Sequence, residues 1–99
     1  MNLPIPVGSN DDVYIAAIEA AAPTIRAYAP GVLVVALGLD ASADDPFGGG
    51  KVTQKGFRRA GAVIAGLGLP TLFVQEGGYL SDQLGPNLTA VLGGFEAKA

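Results

Sequence analysis

Two short apolar runs constrain the fold of this chain more than any other feature. The first covers residues 32–37 and the second covers residues 71–75. Neither alternates apolar with polar residues, and continuous runs of this kind are typical of parallel strands covered by helices on both faces. A helical pattern separates the two runs, so the sequence predicts a βαβ unit.

A first helix is predicted before the first strand. Ser9 or Asn10 can cap its N-terminus, and apolar residues then recur at helical spacing to about Tyr28. Pro23 conflicts with this pattern because proline lacks an amide donor and its ring clashes with the preceding turn. We therefore expect a kink or a break at Pro23.

Two further helices complete the predicted order of helix, strand, helix, strand, helix. Thr53 can cap the second helix, which Gly68 should stop, and Pro86 suits the first position of the third. Two strands make a poor sheet alone, and natural proteins avoid unpaired sheet edges. The predicted fold class is therefore α/β: a βαβ core flanked by helices, forming part of a doubly wound parallel sheet of three-layer α/β/α type. We treat residues 1–99 as a single small α/β domain.

The composition indicates a surface that expects a partner. The chain has 99 residues, of which 49% are hydrophobic, and its mean hydropathy is +0.40. This is apolar for a single small domain, because a chain of this size has a limited core in which to bury such residues. The expected partner is either a second copy of the chain, giving a homo-oligomer, or a complementing polypeptide.

Charge and residue counts exclude several classes of function. The net charge is −3 with a pI of about 4.5, and no basic patch is visible, so neither nucleic acid nor a membrane is an expected partner. The absence of cysteine excludes disulfides and thiol chemistry. The longest apolar run is too short to span a bilayer, and the first basic residue is Arg26, which does not fit a secretory signal. The expected location is the cytoplasm.

Two chemically capable side chains follow the two predicted strands. Asp40 comes just after the first strand and Tyr79 just after the second, and ligands bind at the carboxyl edge of such sheets. A carboxylate can hold a metal ion, and a phenol can donate a hydrogen bond to a developing oxyanion. Simpler interpretations are a turn or capping role for Asp40 and a loop-covering role for Tyr79. The chain has no histidine, so any imidazole ligand or base would come from elsewhere.

The loops around these two residues carry further candidates. Gly77 and Gly78 lack the spacing of a phosphate-binding loop, so a turn with positive φ is the preferred interpretation. Residues 48–50 are three glycines and are expected to be a flexible loop. Asp45 should form a turn and bond nearby amides. Glu76 could act as a general base by its type, but a structural hydrogen bond is the expected role.

Three motifs in order resemble the C-terminal part of the zinc-dependent histone deacetylase superfamily, and look like its bacterial acetylpolyamine amidohydrolase branch. They are Leu37-Gly38-Leu39-Asp40, Asp45-Pro46 and Gln75-Glu76-Gly77-Gly78-Tyr79. Supporting matches come from the N-terminal segment and from the start of the third helix: Asn2-Leu3-Pro4-Ile5-Pro6, Asp12, Tyr14, Leu84-Gly85 and Asn87.

This resemblance implies an arginase-like α/β fold and hydrolysis of an N-acetyl amide. Members of the family hold zinc with two aspartates and one histidine, and Asp40 matches the second of those aspartates. Tyr79 matches the tyrosine that hydrogen-bonds the substrate carbonyl and its oxyanion, with Gly77 and Gly78 in the same site loop. The other zinc ligands and the paired proton-handling histidines precede this region in the family.

Two functions follow as expectations. In the first, the chain is the C-terminal segment of a zinc-dependent amidohydrolase that deacetylates N-acetylated amines. Zinc and the acetylated amine would then be bound by the complete enzyme, and the isolated chain is expected to be inactive and to bind no zinc stably. In the alternative, the chain is a non-catalytic small oligomeric or partner-binding module derived from that fold.

Overall fold

A computed structural model describes residues 1–98 and contains three α-helices and two strands. The elements in chain order are α1 (Asp11–Tyr28), β1 (Leu33–Leu37), a 3₁₀ helix (Leu39–Ala41), α2 (Gln54–Ala65), β2 (Thr71–Gln75) and α3 (Leu84–Lys98). The predicted order of helices and strands is confirmed. The 3₁₀ helix, which carries Asp40, was not predicted.

Strands β1 and β2 pair in parallel, and helix α2 is the crossover that connects them. Leu33 lies opposite Thr71 and Leu37 lies opposite Gln75. The Glu76 amide donates to the Leu37 carbonyl at 2.9 Å just beyond the last of these pairs. The α/β class and the parallel βαβ unit are therefore confirmed. Within residues 1–98 the outer edge of each strand is unpaired.

A side-chain cap stabilises the start of each of α1 and α2, and Asp11 connects the two starts. Asn10, one of the two predicted caps, accepts a hydrogen bond from the Val13 amide at 3.1 Å, and Thr53 accepts one from the Gly56 amide at 3.3 Å. Asp11 connects the two helices, because its carboxylate accepts from the Thr53 amide at 2.7 Å and from the Thr53 hydroxyl at 2.5 Å. The N-termini of α1 and α2 are thus held side by side.

Pro23 does not break the first helix. Helix α1 continues from Asp11 to Tyr28 with Pro23 inside it, so of the expected kink or break, the break is wrong. Pro23 is exposed, whereas Ile15 and Ala22 on the inner face are buried. Packing of that inner face compensates for the one backbone hydrogen bond that proline cannot make.

The end of α2 and the start of α3 each lie a few residues earlier in the chain than predicted. Helix α2 ends at Ala65, and Gly68, with φ of 71°, lies in the turn that follows. Helix α3 begins at Leu84, so Pro86 is its third residue rather than its first. The third position also tolerates proline, because the first amides of a helix have no acceptor within it.

Helices α2 and α3 cover one face of the sheet. The buried core on this side consists of Leu37, Leu39, Val52, Phe57, Ala90 and Val91. The two helices approach each other closely at glycines: a Cβ at Gly61 would lie 2.0 Å from the Val91 carbonyl oxygen, and one at Gly94 would lie 2.0 Å from that of Arg58. Glycine at these two positions is therefore required by the helix–helix contact.

The opposite face of the sheet is exposed within residues 1–98. Val34, Leu72 and Val74 are 61%, 56% and 42% exposed. A cleft of about 420 Å³ runs along β1 and is bounded by that strand, α1 and α2, and it is lined mainly by apolar side chains. In the same residues, no helix has the length and apolar character needed to cross a bilayer.

Candidate functional site

Asp40 lies in the 3₁₀ helix that follows β1 directly. Its side chain is exposed and lies between two glycines, one from each strand end. A Cβ at Gly38 would come 2.8 Å from Asp40 Oδ1, and a Cβ at Gly77 would lie 3.6 Å from both carboxylate oxygens. Glycine at 38 therefore leaves the space that the carboxylate occupies, and the loop after β2 passes directly beside it.

The Gly77-Gly78 pair forms the turn with positive φ that the sequence predicts. The φ angles of Gly77 and Gly78 are 78° and 96°. A Cβ at Gly78 would lie 3.1 Å from that of Leu39 and 2.9 Å from Leu84 Cδ1. This turn thus packs on the 3₁₀ helix and on the start of α3, and it brings the two strand ends together.

Tyr79 is held by its backbone and by its ring. Its amide donates to Asp45 Oδ2 at 3.0 Å. Its ring meets that of Phe47 edge to face, with centroids 4.8 Å apart. The side chain remains 62% exposed. Tyr79 is therefore available to a ligand at this edge of the sheet, with its position set by two residues of the loop that follows Asp40.

Asp45 bonds nearby amides, as predicted, and also reaches the second loop, which was not predicted. Its Oδ1 accepts from the Phe47 amide at 2.9 Å and from the Gly48 amide at 2.8 Å, in addition to the bond from Tyr79. The bond from Tyr79, with those from Phe47 and Gly48, lowers the pKa of the Asp45 carboxyl. The Asp-Pro-Phe-Gly sequence was a sufficient signal for the turn, but nothing in it indicated the contact with Tyr79.

The triple glycine, which is expected to be a flexible loop, is closely packed at two of its residues. A Cβ at Gly48 would lie 1.6 Å from the Asp40 carbonyl oxygen, and one at Gly50 would lie 2.4 Å from that of Ala41. The loop is further tied by the Lys51 amide, which donates to the Ser9 carbonyl at 2.9 Å. Glycine is present here because the loop packs against the backbone of the 3₁₀ helix that carries Asp40.

A buried polar pair supports the same loop from below. The Asn87 side-chain amide donates to Ser42 Oγ at 3.1 Å, and both residues are almost fully buried. The Asp44 amide donates to the same hydroxyl at 3.1 Å. These bonds attach the loop after Asp40 to α3. Asn87 was noted in the sequence as part of a motif, but its partner could not be read from it.

Tyr14 is a second phenol in the electrostatic environment of Asp40. Its ring packs edge to face on Phe57, with centroids 5.9 Å apart. Burial raises the pKa of the Tyr14 phenol, and the negative charge of Asp40 raises it further. Tyr14 therefore stays protonated at neutral pH.

Glu76 does not make the side-chain contact expected of it. Its side chain is exposed and forms no hydrogen bond within residues 1–98, while its backbone amide donates to the Leu37 carbonyl. The position is thus fixed by the strand backbone.

Asp40 fits a metal as one ligand among several. Its carboxylate is exposed and pairs with no cation in the described part of the chain, so its oxygen atoms are available for coordination. Across residues 1–98 no three His, Cys, Asp or Glu side chains come together in a way that could hold a metal. These residues therefore offer one zinc ligand and not a complete set.

The fold and these motifs define an α/β protein of the histone deacetylase class. Residues 1–95 match the histone deacetylase domain family, and the chain belongs to this family. It is 42% identical over 98 residues to acetylpolyamine amidohydrolase 1 of Pseudomonas aeruginosa, covering 99% of this chain and 28% of that protein. It is 38% identical over 85 residues to histone deacetylase 8 of Arabidopsis thaliana, covering 80% of this chain and 22% of that protein.

A solved structure agrees with this assignment. The crystal structure of acetylpolyamine aminohydrolase from Burkholderia pseudomallei is 41% identical to the chain and superposes with a TM-score of 0.89, covering 99% of this chain and 29% of that one. The arginase-like α/β class expected from the sequence resemblance is therefore supported by a relative of known structure. The chain spans less than a third of the length of these relatives.

Proposed function

We propose that this chain supplies part of the active site of a zinc-dependent deacetylase that acts on N-acetylated amines. In this site Asp40 is one zinc ligand, and Tyr79 donates a hydrogen bond to the acetyl carbonyl. The observation that carries the proposal is the meeting of the two strand-end loops, where Gly77 lies against the Asp40 carboxylate and Tyr79 follows two residues later. Family membership supports the same assignment, because relatives from Pseudomonas aeruginosa and Burkholderia pseudomallei are named acetylpolyamine amidohydrolases.

The proposed reaction is hydrolysis of the acetyl amide to acetate and the free amine. Zinc bound at Asp40 would supply Lewis-acid polarisation of the carbonyl and a water of lowered pKa. Tyr79 would stabilise the negative charge that develops on the carbonyl oxygen. The chain contains no histidine, so the base that takes the proton from water would come from outside these 99 residues.

A chimera tests this proposal directly. Residues 1–95 would replace the matching segment of the Pseudomonas aeruginosa relative, and acetate release from an N-acetylated polyamine and bound zinc would be measured. Tyr79→Phe should lower kcat about 100-fold or more while zinc is retained. Asp40→Asn should lower both zinc content and turnover. Asp44→Asn is the matched control and should change neither.

The proposal would be wrong if the chimera bound zinc and deacetylated its substrate equally well with Asp40→Asn or Tyr79→Phe.

A second candidate function is a non-catalytic module that binds a partner chain or a second copy of itself. The observation that favours it is the exposed apolar face of the sheet at Val34, Leu72 and Val74. The same surface fits the first candidate as well, since a chain that supplies part of a site needs a surface on which the rest can assemble.

A further inference from the structure

Three backbone hydrogen bonds converge on the carboxylate of Asp45. Oδ1 accepts from Phe47 and Gly48, two and three residues along the chain, and so closes a local turn. Oδ2 accepts from the amide of Tyr79, which lies 34 positions away. Oδ1 therefore stabilises the turn that contains Asp45, and Oδ2 binds the loop that follows β2.

The segment that Asp45 holds has few other restraints. Gly77 and Gly78 both adopt positive φ, which a glycine backbone leaves at little cost. Within residues 1–98, the neighbouring backbone bonds are those of the Glu76 amide to Leu37 and of the Leu84 amide to Ser81. The Tyr79 amide lies between them, and its acceptor is Asp45.

The turn at Asp45 is itself fixed to Asp40. Gly48, whose amide bonds Asp45, packs against the Asp40 carbonyl so closely that no Cβ would fit between them. Phe47, which also bonds Asp45, provides the ring against which Tyr79 packs. A continuous set of contacts thus runs from Asp40 through the turn to both the backbone and the ring of Tyr79.

We propose that Asp45 is a positioning residue that sets Tyr79 relative to Asp40 by joining the two strand-end loops into one unit. This rests on the proposed function for the role of Tyr79 in the reaction, but the structural part stands without it. A purely local role for Asp45, as an acceptor for its own turn, would leave Tyr79 unaffected when the carboxylate is replaced.

Hydrogen exchange in the 99-residue chain tests the structural part. Asparagine at position 45 keeps one acceptor oxygen, which the two amide bonds of the local turn, at 2.9 and 2.8 Å, should retain against the single bond to Tyr79 at 3.0 Å. Asp45→Asn therefore presents an NH₂ group to the Tyr79 amide. Exchange of the Tyr79 amide, followed by NMR, should accelerate about tenfold in Asp45→Asn. Asp44→Asn removes the same charge from the exposed neighbouring residue and should leave Tyr79 exchange unchanged. Equal exchange in the two variants would overturn the proposal.

A double-mutant cycle in the chimera tests the catalytic part. If Asp45 acts through the Tyr79 hydroxyl, Asp45→Asn should lower kcat about tenfold with KM nearly unchanged, and should add little in a Tyr79→Phe background. An equal loss in both backgrounds would mean that Asp45 acts on stability or on another group, and would refute its action through Tyr79. If Tyr79→Phe itself leaves turnover unchanged, the proposed function fails, and the exchange experiment still decides whether Asp45 holds the loop.

Discussion

At the scale of single residues, the positions of Asp40 and Tyr79 depend on supporting glycines and on a second aspartate. Gly38 and Gly77 make room for the Asp40 carboxylate, and Asp45 accepts from the backbone of Tyr79. Asp40 and Tyr79 could be selected from the sequence because they follow apolar strands. The supporting residues act through contacts between loops that are far apart in sequence, which no local pattern encodes.

The Asp45 carboxylate should make stability depend on pH. Its pKa is lowered in the folded chain by amide hydrogen bonds, so its contribution is present above its ordinary pKa of about 4 and is lost as the pH falls through the lowered value. Asp45→Asn should therefore be less stable than Asp44→Asn at pH 6, with a difference that narrows below about pH 4.

Urea unfolding of both variants between pH 6 and pH 2.5 measures this difference. The two variants carry the same charge, so the general electrostatic change on acidification is common to both. A gap that stays constant across the whole range would contradict the prediction.

The isolated 99-residue chain should not retain zinc through dialysis and should not hydrolyse N-acetylated amines. Asp40 offers one ligand, whereas catalytic zinc sites generally use three protein ligands and a water. Metal analysis after dialysis and an acetate-release assay check this. Stoichiometric zinc that is lost in Asp40→Ala, or turnover that is lost in Tyr79→Phe, would contradict it and would indicate a site shared between copies.

At the scale of elements, the pairing of α2 with α3 depends on backbone contact at glycines. Gly94→Ala would place a Cβ 2.0 Å from the Arg58 carbonyl oxygen, so the helices would have to separate. The expected cost is about 1–3 kcal/mol, larger than the gain of about 0.5–1 kcal/mol that alanine brings to a helix. Thermal or urea unfolding measures the change.

Gly93→Ala is the matched control in the same helix. A Cβ there would meet the guanidinium of Arg58 at 3.2 Å, which is the end of a flexible side chain and can move. This variant should be neutral or more stable by up to about 1 kcal/mol. If Gly94→Ala were as stable as Gly93→Ala, close backbone packing of α2 on α3 would be disproved.

The elements themselves could largely be predicted from the sequence, and their exact ends could not. The caps Asn10 and Thr53 and the strand at residues 71–75 were found because their signals are local: a side-chain acceptor before a helix and an uninterrupted apolar run. Pro23 was overestimated as a helix breaker because tertiary packing along α1 outweighs one missing hydrogen bond. The 3₁₀ helix was missed because three residues carry no periodicity.

At the scale of the whole molecule, the sheet has more apolar surface than the described chain covers. Leu33 and Leu37 bond to the β2 side, and successive residues in a strand direct their amides to alternate edges, so Val34 and Ala36 present their backbone groups to the open side. Exposed strand edges of this kind pair readily with another chain. The expectation of a homo-oligomer or a complementing polypeptide therefore remains our proposal, and its physical basis is this edge and the apolar face beside it.

When purified alone, the chain should self-associate through this surface, with a closed dimer as the expected form. Val34 is 61% exposed in the single chain, so a lysine at this position should affect association without affecting the folding of the monomer. Val34→Lys should weaken dimerisation at least tenfold while the unfolding free energy of the monomer changes by less than about 0.5 kcal/mol. Val7→Lys, at a residue that is 92% exposed and lies outside the sheet, is the control and should leave dimerisation unchanged.

Sedimentation equilibrium over a range of concentrations measures the association. A monodisperse, cooperatively folded monomer at high concentration would contradict the prediction, because it would mean that these 98 described residues need no further cover for the sheet.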